Sequence, residues 1–148
     1  MKELVIKIGN LVQPITDEKG NLSFFALVLR EEAAVWDILV AAKWIDADRK
    51  QALAYLVKQV QRVLTKQELL KISGIILLQS EYYDDQHIMR SPTPTSWVEN
   101  NVDLYDIAVK KAYIFVSTDD YFNPKKEPES AKIITDTYTV SGSPTIQE

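Results

Sequence analysis

Polar and apolar residues alternate from Glu3 to Ile8, with Leu4, Ile6 and Ile8 on one side and Glu3, Val5 and Lys7 on the other. A period of two predicts a strand with one face more buried than the other. Gln13 to Asn21 is polar, with Pro14 near its start, and reads as a loop. Lys19-Gly20-Asn21 supplies a turn in which a positive φ costs little. Leu22 to Leu29 is more continuously apolar and is expected to form a second, more central strand, paired with the first as a long-turned hairpin.

The stretch Ala33 to Leu64 dominates the pattern. Glu31 to Ala42 holds four alanines, which suit a helix, together with Val35, Trp36, Ile38 and Val40, which suit a strand. On a helical wheel its apolar residues go all the way round, so a short buried strand is expected, with Asp37 as its one charge. An amphipathic helix then runs from Asp46, read as its N-cap, to Leu64. Leu53, Leu56, Val57, Val60, Val63 and Leu64 keep helical spacing on one side. Thr65-Lys66-Gln67-Glu68 has the form of a capping box and predicts a second short helix, ended by Ser73-Gly74. Ile75 to Leu78 reads as an interior strand. Strand, helices and strand make a crossover unit, which requires the two strands to be parallel.

Ser80 to Asn101 is long and irregular, with Pro92, Pro94 and Trp97. Tyr105 to Ser117 predicts a long strand with Ile107, Val109, Tyr113 and Phe115 on one face and Ala108, Ala112, Ile114 and Val116 on the other. Lys110 and Lys111 in its middle suggest a bend or bulge. Residues 1–122 are expected to form one globular domain. Residues 123–148 are a polar C-terminal segment, with an edge strand at 133–140 followed by a tail. The expected fold is α+β (or α/β): a mixed, largely antiparallel sheet of about five strands in the order β-β-β-α-α-β-β, with one long and one short helix packed on it. Apolar residues on both sides of several strands imply that the second sheet face is also covered, by the C-terminal segment or by a second copy of the chain.

Composition narrows the possible chemistry. With 148 residues and 46% hydrophobic content the chain can bury a full core. No apolar run reaches membrane-spanning length and the N-terminus lacks a signal-peptide pattern, so a cytoplasmic location without membrane attachment is expected. Cysteine is absent, which excludes disulfides, thiolate ligands and cysteine nucleophiles. Of the net charge of −4, residues 118–148 carry −3, with six acids against three lysines. The nearly neutral body gives no reason to expect nucleic-acid binding. The lysines of the long helix, interrupted by Gln and Tyr, read as a solvated face rather than a phosphate track.

Candidate sites follow from topology, because ligands favour the carboxyl ends of parallel strands. Glu81, Asp84, Asp85 and His87, the one histidine, lie just past such an end and could hold a divalent cation. Asp37, Asp46 and Glu81 are candidate catalytic carboxylates. Asp37 needs a cation if its strand is buried, and Arg30, Lys110 or Lys111 could supply it. Trp36 is expected in the core, Trp44 at the strand-to-helix corner, and Trp97 is a candidate interface anchor. There is no phosphate-binding glycine loop, nucleophile elbow or histidine pair, so no particular cofactor is implied. Two functional classes remain: a non-enzymatic interaction or accessory module whose partner is another protein or a second copy, and a small enzyme or ligand- or metal-binding domain built on the acids above.

Overall fold

The computed structural model describes residues 2–78, 88–90, 97–104, 107–118, 133–138 and 144–146. It is an α+β fold with a mixed, mostly antiparallel sheet and several helices packed against it. The chain opens with α1 (Lys2–Gly9) and α2 (Val12–Lys19). The strand and loop expected there are therefore corrected to two helices. Leu4, Val5, Ile8, Leu11, Val12 and Ile15 are all buried, and their spacing follows one helical stripe across both elements. Pro14 is tolerated in the first turn of α2, where its missing N–H would have had no helical acceptor. Gly20 closes α2 at φ 118° and donates its N–H to the Thr16 carbonyl, the positive-φ turn that the sequence predicts.

The strand β1 (Phe24–Arg30) pairs antiparallel with β2 (Trp36–Ala41), so residues 31–42 contain the expected strand. A short helix α3 (Lys43–Ala47) follows, then α4 (Arg49–Val63) and α5 (Lys66–Leu69). Two boundaries differ from expectation. Asp48, not Asp46, caps the long helix, its carboxylate accepting from the Gln51 N–H at 3.2 Å. Ser73 and Gly74 do not end α5 but lie inside β3 (Ile72–Leu78), where Ser73 is an extra residue in the pairing with β2. The capping box forms as read: Thr65 Oγ1 accepts from Glu68 N–H, and the Glu68 carboxylate accepts from Thr65 N–H. The pairs Ile38↔Ile75 and Val40↔Leu77 confirm that β2 and β3 are parallel.

The rest of the sheet consists of β4 (Ile88–Arg90), β5 (Trp97–Leu104), β6 (Ile107–Thr118), β7 (Ile133–Tyr138) and β8 (Pro144–Ile146). Its order is β4-β6-β1-β2-β3-β7-β8, with β5 also paired to β6. The body is β5, β6, β1, β2 and β3, and β4, β7 and β8 extend it. Ile133–Tyr138 lies between β3 and β8, rather than at an edge, and Pro144–Ile146 pairs with it inside the stretch that reads as a tail.

The two faces of the sheet make two cores. The helices cover one face, where α1, α2 and α4 meet Phe25, Leu27, Trp36, Ile38, Val40 and Phe115. Phe24, Ala26, Val28, Leu39, Ile76 and Ile114 form the second core, to which no described helix contributes. These residues are buried within a single chain, so the apolarity of this face does not by itself call for a second copy. Two irregularities in β6 set its faces. Lys110 and Phe115 are extra residues against β1, because Arg30 pairs with Val109 while Leu29 pairs with Lys111, and Phe25 pairs with Val116 while Ala26 pairs with Ile114. The bulge at Lys110 shifts the phase, so Val109 and Ala112 share the second core while Tyr113 and Phe115 turn to the helices. The bend or bulge expected at Lys110 and Lys111 is thus present, and the expected placing of Ile107 and Val109 on the same face as Tyr113 and Phe115 is corrected.

Replacing the true cap should weaken α4 more than replacing its neighbour. Asp48→Ala is expected to cost about 1 kcal/mol, and Asp46→Ala less than about 0.5 kcal/mol. Urea unfolding of both variants measures the difference, and equal losses would refute the assignment of the cap.

Candidate functional site

Asp37 is the one buried acid among the described residues. Strand alternation turns it, with Leu39 and Ala41, toward the second core. It pairs with Val28 on β1 and with Gly74 on β3, so the position opposite it on β3 has no side chain. Arg30, two residues beyond Val28 on the same face, reaches across to it, with Nε 2.7 Å from Oδ2. The contact is an ion pair rather than a well-aligned hydrogen bond, since Arg30 Nε satisfies no hydrogen-bond angle. Lys111 could not serve, because it pairs with Leu29 and packs its ammonium 5.2 Å from the Tyr113 ring centre on the helix side. Lys110 is exposed at the bulge. Burial pushes the Asp37 carboxyl up from its ordinary 3.8, and the Arg30 guanidinium opposes that rise without cancelling it.

Asp46 lies in α3, beyond the opposite end of β2, where its Oδ1 is 3.9 Å from Arg49 Nη1. From Asp37 to Ala41 the strand advances about 13 Å. The two candidate carboxylates are thus at opposite ends of β2 and do not converge. Glu81, Asp84, Asp85 and His87 lie outside the described residues. The backbone of Trp97 pairs with Ile114 in β5, but its side chain lies outside them as well. Trp36 is core, as expected, with its ring centre 5.6 Å from that of Tyr113.

Two polar clusters were not legible in the sequence, because both depend on helices read there as strand and loop. In the first, Tyr55 of α4 donates its hydroxyl proton to Glu18 of α2 at 2.6 Å. Lys19 Nζ lies 4.8 Å from the Tyr55 ring centre, and Trp44 meets that ring edge-on. Burial, reinforced by the Glu18 carboxylate, pushes the Tyr55 hydroxyl up to about 12. In the second, Lys7 of α1 holds Glu68 of α5 at 2.8 Å. The Lys7 bond and the Thr65 N–H keep the Glu68 carboxyl below its ordinary range. A groove of about 470 Å³ runs between these helices, with Glu3, Leu4, Gln67 and Lys71 on its walls. No cluster of three or more acidic or histidine ligands occurs among the described residues. No described helix is long and apolar enough to cross a membrane.

Compared with family models, with curated proteins and with solved structures, the chain matches none.

Removing the Arg30 charge strands a buried carboxylate. Arg30→Met is expected to cost about 1–3 kcal/mol, below the figure for a fully enclosed pair because Arg30 is 42% exposed. With the Asp37 pKa raised on folding, the native state holds more protons than the unfolded state above pH 3.8. The stability of the parent relative to Asp37→Asn should therefore be highest in acid and fall as pH climbs through the raised value. Chemical denaturation of the pair from about pH 3 to about pH 8 tests this, and a flat or rising difference would refute it.

Proposed function

We propose that the protein is a small non-enzymatic interaction module whose partner is another protein. The observation that carries this reading is that the described candidate acids are committed to cations at separate places. Asp37 faces Arg30, and Asp46 lies near Arg49 at the other end of the same strand. A catalytic carboxylate has to reach substrate and change its protonation during turnover. Asp37, 3% exposed and opposed by a guanidinium, is placed to hold strands together. The carboxylate next to it in sequence, Asp48, is engaged in capping the Gln51 N–H.

The competing reading is a ligand- or metal-binding domain built on acids past the carboxyl ends of β2 and β3. The two make different predictions for a thermal-melt screen against divalent metals and nucleotides. The midpoint should stay where it is in every well. A bound ligand at 100 times its Kd would add about 2.7 kcal/mol, which moves the midpoint of a chain this size by roughly 5–10 °C. One such shift would reverse the proposal in favour of the ligand-binding domain.

A further inference from the structure

Helix α4 carries Arg49, Lys50, Lys58 and Arg62 and no acid at all, in a chain whose net charge is −4. Its inner side is fixed in the core by Leu53, Leu56 and Val60. Its outer side presents Lys50, Ala54, Lys58 and Arg62, all exposed and each four residues from the next. Residues at that spacing are neighbours along a row that winds about 40° around the helix at each step, so these four form a lane that turns about a third of the way round it. Lys50 and Arg62 are about 18 Å apart along the axis, and Lys58 and Arg62 about 6 Å.

A solvated helix face normally interleaves acids with bases, because opposite charges four residues apart support the helix and like charges weaken it. Here Lys58 and Arg62 repel each other, and no acid on α4 offsets them. Three acids that border the helix are engaged elsewhere. Asp46 lies against Arg49, Asp48 caps the Gln51 N–H, and Glu18 takes the Tyr55 proton. Lys50, Lys58 and Arg62 make no ion pair among the described residues. The small side chain of Ala54 between them lets a partner approach the helix closely.

On the reading of the protein as an interaction module, we propose that this lane is its docking face and that the partner presents an acidic polypeptide segment, with carboxylates at about the 6 Å repeat of one helical turn. A nucleic acid fits less well. The chain as a whole repels a polyphosphate, and its nearest aromatic ring, Tyr55, is already engaged by Trp44 and Lys19 and cannot serve as a stacking platform.

The test is fluorescence anisotropy of a labelled oligo-glutamate peptide with the full chain at about 0.15 M salt, with oligothymidylate of matching charge in parallel. The parent should bind the peptide. K50E/K58E/R62E should bind at least about tenfold more weakly, whereas K110E, which reverses an exposed charge on strand β6 rather than on α4, should bind like the parent. Circular dichroism verifies folding, and K50Q/K58Q/R62Q, which should also weaken binding, replaces the reversal variant if that one fails to fold. No peptide binding by the parent, binding indifferent to all of these changes, or tighter binding of oligothymidylate than of the peptide would overturn the assignment. Peptide binding accompanied by a metal or nucleotide shift in the thermal screen would uphold the docking face while refuting the non-enzymatic reading on which it was built.

Discussion

Two neighbouring strands that run in the same direction cannot be joined by a tight turn, and in this protein the rest of the architecture depends on that constraint. β2 and β3 are such a pair, so the chain between them must leave one end of the sheet and return to the other. α3, α4 and α5 make that return, and α4 spans the sheet with Leu53, Leu56 and Val60 turned inward. Once the crossover occupies one face, α1 and α2 complete the same layer. Their apolar stripe has nowhere else to be buried. The antiparallel partners β1 and β7 then flank the parallel pair.

The same arrangement fixes where charge can sit. β2 is buried on both faces, so a carboxylate at Asp37 is tolerated only because Arg30 at the end of β1 reaches the same face. Surface cations without such duties accumulate on the outside of the crossover, where α4 has no acid of its own. An acidic protein thus carries a basic stripe on a helix anchored in the core by Leu53, Leu56 and Val60. A charged surface mounted on a rigid support loses little side-chain and backbone freedom when a partner docks.

The middle of the chain was legible because its local signals agree. The all-round apolarity of Val35 to Ala42, the stripe from Leu53 to Leu64 and the Thr65–Glu68 capping box each point to the element that forms there. The start was misread because the window was too short. Leu4, Ile6 and Ile8 alternate, but Leu4, Val5, Ile8, Leu11, Val12 and Ile15 together follow the helical period, and only the longer pattern includes residues on both sides of Gly9. The shift from Asp46 to Asp48 came from two acids two residues apart, where only backbone geometry decides which one caps. The need of Asp37 for a cation was readable, and Arg30 was among the three candidates. The choice between them depended on strand register, which a bulge in β6 controls. The pairs Tyr55–Glu18 and Lys7–Glu68 join residues 37 and 61 positions apart, and no local pattern signals contacts of that separation.

That bulge also links two distant positions in the sequence. The hairpin of β5 and β6 keeps a single register from Trp97↔Ile114 to Leu104↔Ile107, which sets Asn101, at φ 53°, opposite Lys110. Each strand thus carries one irregular residue, and the two compensate. Deleting Lys110 alone would remove one of the two irregularities of β6 against β1 but would slide it by one place along β5. Losing Asn101 as well would restore the alignment. Insertions and deletions at these two sites are therefore tied together: a length change on one strand of the hairpin shifts its pairing unless it is matched on the other.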